Sequence, residues 1–133
     1  MPQTSAEQNL DTIRALYEAY ASRDVEGLLA LLDDEFEVRQ SELLPWGGSY
    51  KGPDGMIEFI KNITSHIDSI VVVEEMVEAG DHVIVLGRSR GTIKSTGEEY
   101  EVRLVDVCRL REGKLLSLHI YLDMPAILEK LGQ

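Results

Sequence analysis

Cysteine is nearly absent from this 133-residue chain, and long apolar runs are missing from it. The single cysteine, Cys108, cannot form an intrachain disulfide, so the composition gives no support to an oxidising compartment. No apolar segment approaches the roughly 18 residues that are needed to span a bilayer. We therefore expect a cytoplasmic protein that has no membrane partner.

Basic residues are scarce relative to acidic ones. The chain has 13 Lys and Arg residues against 24 Asp and Glu residues, which gives a formal net charge of −11. Proteins that bind nucleic acid neutralise phosphates with clustered Lys and Arg, so we expect no nucleic-acid partner. An apolar fraction of 44% is enough for one hydrophobic core, and the length fits one domain over residues 1–133.

Metal-binding and nucleotide-binding motifs are also missing. The three histidines are far apart, and no paired His or Cys–His spacing occurs. Gly47-Gly48 lacks the lysine of a phosphate-binding loop, and the chain has no G-x-S-x-G nucleophile motif. We therefore predict no metal and no cofactor, and acid–base chemistry in a pocket is the enzymatic class that remains.

What the chain does contain is helical periodicity first and strand periodicity afterwards. Apolar spacing of three to four residues predicts helices over residues 6–22 and 54–64, and Asp24 can cap a short helix between them. Pro125 fits the first turn of a short C-terminal helix. Alternating segments predict strands at 35–42, 67–78, 83–94, 100–111 and 115–122, with a loop over 45–53.

This order of elements predicts an α+β fold. We expect a curved, mainly antiparallel sheet that forms a cone-shaped half-barrel around the three N-terminal helices. The short C-terminal helix follows the last strand. The interior of such a cone is the natural place for a small-molecule pocket.

Asp106 is the most informative candidate for chemistry. In the strand 100–111 the even-numbered face is the more apolar, and Asp106 lies in its middle. A buried carboxylate is costly unless it is hydrogen-bonded, paired or protonated, so this environment can make Asp106 a general acid or a neutral hydrogen-bond donor. The alternative is a structural aspartate that a neighbouring strand or a tyrosine hydroxyl satisfies. The sequence leaves both interpretations open.

Other polar or aromatic residues are further candidates for the pocket. Gln40 and Glu42 continue the apolar face of the first strand and so can reach the pocket. Trp46, the only tryptophan, serves either as a ligand wall or as a core residue. His119 is expected on the outer sheet face. The pair Arg88 and Arg90 either binds an anionic group inside the cone or lies outside in water.

Several motifs together resemble the SnoaL-like proteins of the nuclear-transport-factor-2-like superfamily. They occupy residues 24–29, 32–36, 45–55, 109–115 and 121–123, in the order and spacing of that family. The resemblance covers nearly the whole chain and implies a cone-shaped α+β barrel. It also implies a small hydrophobic ligand in the cone and a homodimer that forms through the outer sheet face.

The resemblance assigns roles to individual positions. The strand around Asp106 is similar to the ketosteroid isomerase strand that carries an oxyanion-hole aspartate. The isomerase general base falls on Gln40, which cannot accept a proton in that role, and the oxyanion tyrosine falls on Leu16, beside Tyr17 and Tyr20. We therefore do not expect the usual Tyr/Asp/Asp isomerase set.

Two other relatives in the superfamily can be compared in the same way. Limonene-type epoxide hydrolases use an Asp–Arg–Asp set, whose last aspartate falls on Ile120. SnoaL cyclases use an acidic residue with polar neighbours, and Asp106 with Glu42 is the nearest equivalent here. We predict these two as catalytic residues, and the ligand wall as Leu16, Tyr17, Tyr20, Gln40, Trp46, Leu104, Leu118, Ile120 and Leu122.

Two functions follow from these observations. The first is a cofactor-independent enzyme of the isomerase, cyclase or dehydratase type that acts on a small hydrophobic molecule. The second is a catalytically silent ligand-binding or dimerisation module. The missing base at Gln40 and the apolar inner face of the cone favour the second.

Overall fold

The α+β architecture that the sequence predicts is confirmed by a computed structural model that describes residues 5–132. The helices are α1 (Ser5–Ala21), α2 (Val25–Leu29), α3 (Gly52–His66) and α4 (Met124–Lys130). The strands are β1 (Leu32–Gln40), β2 (Gly48–Lys51), β3 (Ile67–Ala79), β4 (His82–Ile93), β5 (Glu99–Arg111) and β6 (Lys114–Leu122). The helices α1 and α3 pack against strands of one curved sheet, which forms the cone.

The sheet has the strand order β2-β1-β6-β5-β4-β3. Neighbouring strands are antiparallel, except that β1 and β6 run parallel. The parallel pair brings the first strand beside the last, so residues that are 80 positions apart in sequence share one face: Gln40 lies opposite Ile120. This pairing assembles the inner face of the cone from both ends of the chain.

The curvature of the sheet has a local cause in β3 and β4. Their register shifts between Val73 and Glu75, which marks a bulge, and β4 carries glycine at positions 87 and 91. A Cβ at Gly87 would overlap the backbone carbonyl of Val72, and a side chain at Gly91 would meet the neighbouring strand in the same way. Bulges and glycines at such close approaches let a sheet bend strongly.

Several predicted boundaries differ from the structure, most clearly near β1. The strand begins at Leu32 rather than at residue 35, because Leu32 already pairs with Leu115 of β6. The predicted loop over 45–53 contains β2, which pairs with β1. Its four residues carry no apolar alternation, so no strand pattern is present there. Helix α3 is also longer than predicted at both ends.

The core lies between the helices and the inner face of the sheet. The strand β5 alternates as the sequence predicts, with its even-numbered residues Tyr100–Leu110 buried and its odd-numbered ones more exposed. The largest side chain in the core is Trp46, which is fully buried. Asp24 caps α2 by accepting a hydrogen bond from the backbone N–H of Gly27 at 2.9 Å. This cap fixes the turn between α1 and β1.

Candidate functional site

The candidate site is an apolar cavity between α1, α3 and the inner face of the sheet. Its volume is about 70 Å³. Every residue that the sequence predicts for the ligand wall lines it, and so does Asp106. These residues come from α1, from the segment between β1 and β2, and from three strands: Leu16, Tyr17, Tyr20, Gln40, Trp46, Leu104, Asp106, Leu118, Ile120 and Leu122.

Asp106 is the only carboxylic acid among the described residues that line this cavity. It is 2% exposed, and its Oδ2 accepts a hydrogen bond from the hydroxyl of Tyr17 at 2.5 Å. No group within residues 5–132 hydrogen-bonds its Oδ1. Burial raises the pKa of Asp106 to about 7, although the hydrogen bond from Tyr17 lowers it. The carboxyl therefore titrates much closer to neutral pH than an ordinary aspartate.

Tyr17 is the hydrogen-bond donor in this pair. Burial and then the negative charge of Asp106 raise the pKa of its phenol above the ordinary value, so the proton stays on the tyrosine. The resemblance to ketosteroid isomerase placed the tyrosine role on Leu16. Leu16 lines the cavity, but the side chain that reaches Asp106 is the next one along the helix.

Cys108 lies two positions from Asp106 on the same strand face and is fully buried. Burial raises the pKa of its thiol, and the charge of Asp106 adds to this effect. The thiol therefore stays neutral and is poorly suited to be a nucleophile. Proton transfer through Asp106 is the chemistry that this part of the site can perform.

Trp46 and Gln40 form a second polar contact of the cavity wall. The indole Nε1 donates to Oε1 of Gln40 at 2.8 Å, and the indole ring packs against His66 with a centroid distance of 5.9 Å. Trp46 is thus both a core residue and a wall of the cavity, so the two alternatives that the sequence left open coexist. This contact orients the amide of Gln40, the residue at the position of the isomerase base.

Glu42 does not join Asp106. The strand β1 ends at Gln40, and the backbone N–H of Leu44 then bonds the carbonyl of Ser41 at 3.1 Å, which turns the chain. Glu42 is consequently exposed and lines a separate surface depression that also contains His119. The alternation of the strand ends at Gln40, where the strand itself ends. The prediction that Glu42 reaches the pocket is therefore wrong.

The arginines and the histidine singled out in the sequence lie outside the cavity. Arg88 is partly exposed and approaches Glu74 and Glu101 at 3.5 and 3.7 Å. Arg90 is exposed, and His119 pairs across the sheet with an outward position of β5. In the part of the chain that the structure describes, the cavity is lined by no Lys, Arg or His residue. A ligand with a formal negative charge would find no cation there.

A group of hydroxyls at another part of the cavity was not predicted from the sequence. The hydroxyl of Tyr20 lies 3.1 Å from that of Ser69, and the hydroxyl of Ser89 lies 3.0 Å from that of Tyr100. The signal was present in β4, where Val83, Val85, Gly87 and Ser89 alternate inward. A serine on an inward face is informative, because its hydroxyl must find a partner.

Neither a metal-binding cluster nor a membrane-spanning helix is found among the described residues. Within residues 5–132 no group of three or more His, Cys, Asp or Glu side chains is arranged to hold a metal ion. None of the described helices is long and apolar enough to cross a membrane.

The family follows from a comparison with known sequences. The profile of the SnoaL-like domain matches residues 13–118, so the chain belongs to this family. The resemblance that the motifs suggested is thereby confirmed. No protein among those with curated functions matches the chain.

Solved structures agree with this family. A nuclear-transport-factor-2-like protein of unknown function from Burkholderia pseudomallei K96243 is 28% identical, with a TM-score of 0.85 over 92% of this chain and 95% of that one. TerC, co-crystallised with polyporic acid, is 24% identical, with a TM-score of 0.86 over 95% and 99%. A candidate SnoaL-like polyketide cyclase from Jannaschia sp. CCS1 is 18% identical, with a TM-score of 0.82 over 96% and 94%.

Proposed function

We propose that this protein binds a small hydrophobic molecule in the cone and performs acid–base chemistry on it through Asp106. The observation that carries the proposal is the state of this one carboxyl. It is buried in an apolar cavity, has one oxygen held by Tyr17 and has a pKa of about 7. A carboxyl that titrates near neutral pH is suited to both accepting and returning a proton.

The two protonation states of Asp106 supply two different functions. The neutral carboxylic acid can donate a hydrogen bond or a proton to a ligand carbonyl or hydroxyl oxygen. The carboxylate can remove a proton from carbon or oxygen, and Tyr17 stabilises the charge by its hydrogen bond to Oδ2. A single group that removes a proton at one atom and returns it at another performs an isomerisation. The same steps support cyclisation or dehydration, and none of them needs a cofactor.

The cavity also bears on the size and chemistry of the ligand. Its 70 Å³ is below the range of about 300 to 1,000 Å³ that is common for drug-sized ligands. We therefore expect either a compact ligand or an outward shift of the α3 side chains that line the cavity, which would lengthen it on binding. The lining is mostly apolar, so an uncharged molecule with few oxygen atoms fits it best. The structurally similar TerC was co-crystallised with polyporic acid, which is consistent with small organic ligands in this fold.

A catalytically silent ligand-binding module is the second candidate. It is favoured by Gln40, which occupies the position of the isomerase base, and by Glu42, which lies outside the cavity. Among the described wall residues Asp106 is then left without a second acid or base. In this alternative the carboxyl only holds the ligand, and no turnover follows.

The experiment compares the wild-type protein with Asp106→Asn and Tyr17→Phe in ligand binding and in turnover. Trp46 is the only tryptophan and lines the cavity, so its fluorescence reports occupancy of this site. A library of neutral enones, lactones and phenols is titrated first, and ligands that bind are then tested for conversion. We expect conversion that Asp106→Asn abolishes while binding remains. Binding without any conversion would favour the silent module, and conversion that survives in Asp106→Asn would contradict the proposed role.

A homodimer through the outer sheet face is part of the same proposal, together with the cytoplasmic location that the lone cysteine suggests. Its support is an apolar pair on that face: Val105 and Tyr121 are cross-strand neighbours, and Tyr121 is 55% exposed. Tyr121→Glu should convert a dimer into a monomer in multi-angle light scattering. Leu43→Glu, at a leucine that is 66% exposed, is the control that should leave the dimer intact. A monomeric wild-type protein at all concentrations would contradict this interface.

A further inference from the structure

Four hydroxyl groups form a cluster of two hydrogen-bonded pairs beside the cavity. Tyr20 and Ser69 are in contact at 3.1 Å, and Tyr100 and Ser89 are in contact at 3.0 Å. Burial raises the pKa of the Tyr100 phenol, and the neighbouring hydroxyls of Ser89 and Ser69 partly offset this rise. The two pairs are therefore neighbours.

Each pair has hydrogen-bonding capacity to spare. A pair carries two protons, and the contact between its two hydroxyls uses one of them. Tyr20, Ser69 and Ser89 line the cavity. Since either hydroxyl of a pair can be the donor, the cluster offers both an O–H group and lone pairs to a ligand.

The cluster of hydroxyls is held in place by a neighbouring arginine. The guanidinium of Arg23 lies over the ring of Tyr20 at 4.7 Å and donates to the backbone carbonyl of Ser69 at 3.0 Å. The same group bonds Asp68 at 2.7 Å. These contacts fix the helix α1 against β3, so the hydroxyls of Tyr20 and Ser69 keep their positions when the cavity is filled. A polar group that is fixed in advance loses little freedom on binding.

The hydroxyl cluster and Asp106 lie at different levels of the same cavity. Ser89 lies opposite Val102 on β5, and Val102 is four residues from Asp106 on the same face. At about 3.3 Å per residue this separates the two levels by about 13 Å. The tyrosines that face the two levels, Tyr17 and Tyr20, are one turn apart on α1. The apolar wall between the two levels then contacts the body of a ligand.

We propose that these four hydroxyls form a second polar subsite, which binds a hydroxyl or carbonyl oxygen at the far end of the ligand. The ligand class is an uncharged, elongated apolar molecule with an oxygen function at each end, one at Asp106 and one at Tyr20 and Ser89. This inference rests on the proposed function, because it assumes that the cavity receives a ligand. Since the subsite offers both a donor and lone pairs, it accepts an alcohol and a ketone alike.

The test uses 1-octanol and 1,8-octanediol, which share one chain and differ by a terminal hydroxyl. Both are titrated against Trp46 fluorescence in the wild-type protein and in two separate variants, Ser89→Ala and Tyr20→Phe. The measured quantity is the ratio of the two dissociation constants, and the comparison of this ratio between wild type and variant cancels the cost of removing the second hydroxyl from water. Ser117→Ala is the matched control, since Ser117 lies on β6 outside the cavity lining.

We expect each hydroxyl-removing variant to lower the preference for the diol by about three- to tenfold, the worth of one hydrogen bond. The affinity for 1-octanol and the far-UV circular dichroism should stay close to wild type, and Ser117→Ala should change nothing. If 1-octanol binds but both variants keep the wild-type ratio, the second subsite is refuted and the proposed function stands. If neither alcohol perturbs Trp46, the proposed ligand site itself fails, and the subsite fails with it.

Discussion

The buried carboxyl of Asp106 should make the stability of the protein depend on pH in an unusual direction. Its pKa rises from 3.8 to about 7 on folding because burial disfavours the charged form. Below pH 3.8 the carboxyl is protonated in the folded and unfolded chain alike. Between pH 3.8 and about 7 only the folded chain holds the proton, so the free energy of unfolding falls as pH rises through this window.

The size of the effect follows from the same two values. A difference of about 3 pH units at about 1.36 kcal/mol each corresponds to about 4 kcal/mol at pH 8. The substitution Asp106→Asn keeps the size of the side chain and an oxygen for Tyr17 but removes the titration. The variant should therefore gain stability relative to wild type as pH rises from 4 to 8, by up to about that amount.

The assay is urea unfolding, followed by Trp46 fluorescence, at half-unit steps between pH 4 and pH 8.5. Asp34→Asn is the control, because Asp34 is exposed on β1 and should follow the wild-type pH profile. The comparison of variant with wild type removes the contribution of other titrating groups, as long as they are unchanged. Parallel pH profiles for wild type and Asp106→Asn would refute the raised pKa and with it the burial argument.

Further predictions concern the partner of Asp106 and the shape of the sheet. Tyr17→Phe removes the hydrogen bond that favours the carboxylate form of Asp106. The pKa of Asp106 should therefore rise by about one further pH unit, as measured in a carbon-13 NMR titration. An unchanged or lower pKa would contradict the role of Tyr17. Gly87→Ala should destabilise the protein by more than about 2 kcal/mol in urea unfolding, because the new Cβ would overlap the carbonyl of Val72. Gly80→Ala is its control, since no atom lies near that position, although its positive φ adds a smaller backbone cost.

The parts of the site that alternation governs were predictable from the sequence. The period of two along β5 placed Asp106 on the inner face, and the same rule placed Leu104, Leu118 and Ile120. These positions depend only on which face of a strand is apolar. The resemblance of the motifs to SnoaL-like proteins added the cone shape of the barrel.

The remainder depended on geometry that no single segment contains. The choice of Tyr17 over Leu16 as the partner of Asp106 depends on how α1 is rotated against the sheet. The direction of Glu42 depends on the turn that begins after Gln40. The contact between Ser89 and Tyr100 requires the register of β4 against β5, which sequence periodicity does not fix.

The central claim is that Asp106 titrates near neutral pH inside the cavity, and a carbon-13 NMR titration of the side-chain carboxyl measures this directly. The protein is labelled at aspartate, and the Asp106 resonance is identified by its loss in Asp106→Asn. We predict a midpoint near pH 7 for this resonance, well above the ordinary pKa of an aspartate, which is about 3.9. A midpoint near pH 4 would show that the carboxyl is solvated and ionised, and would contradict the acid–base role proposed for it.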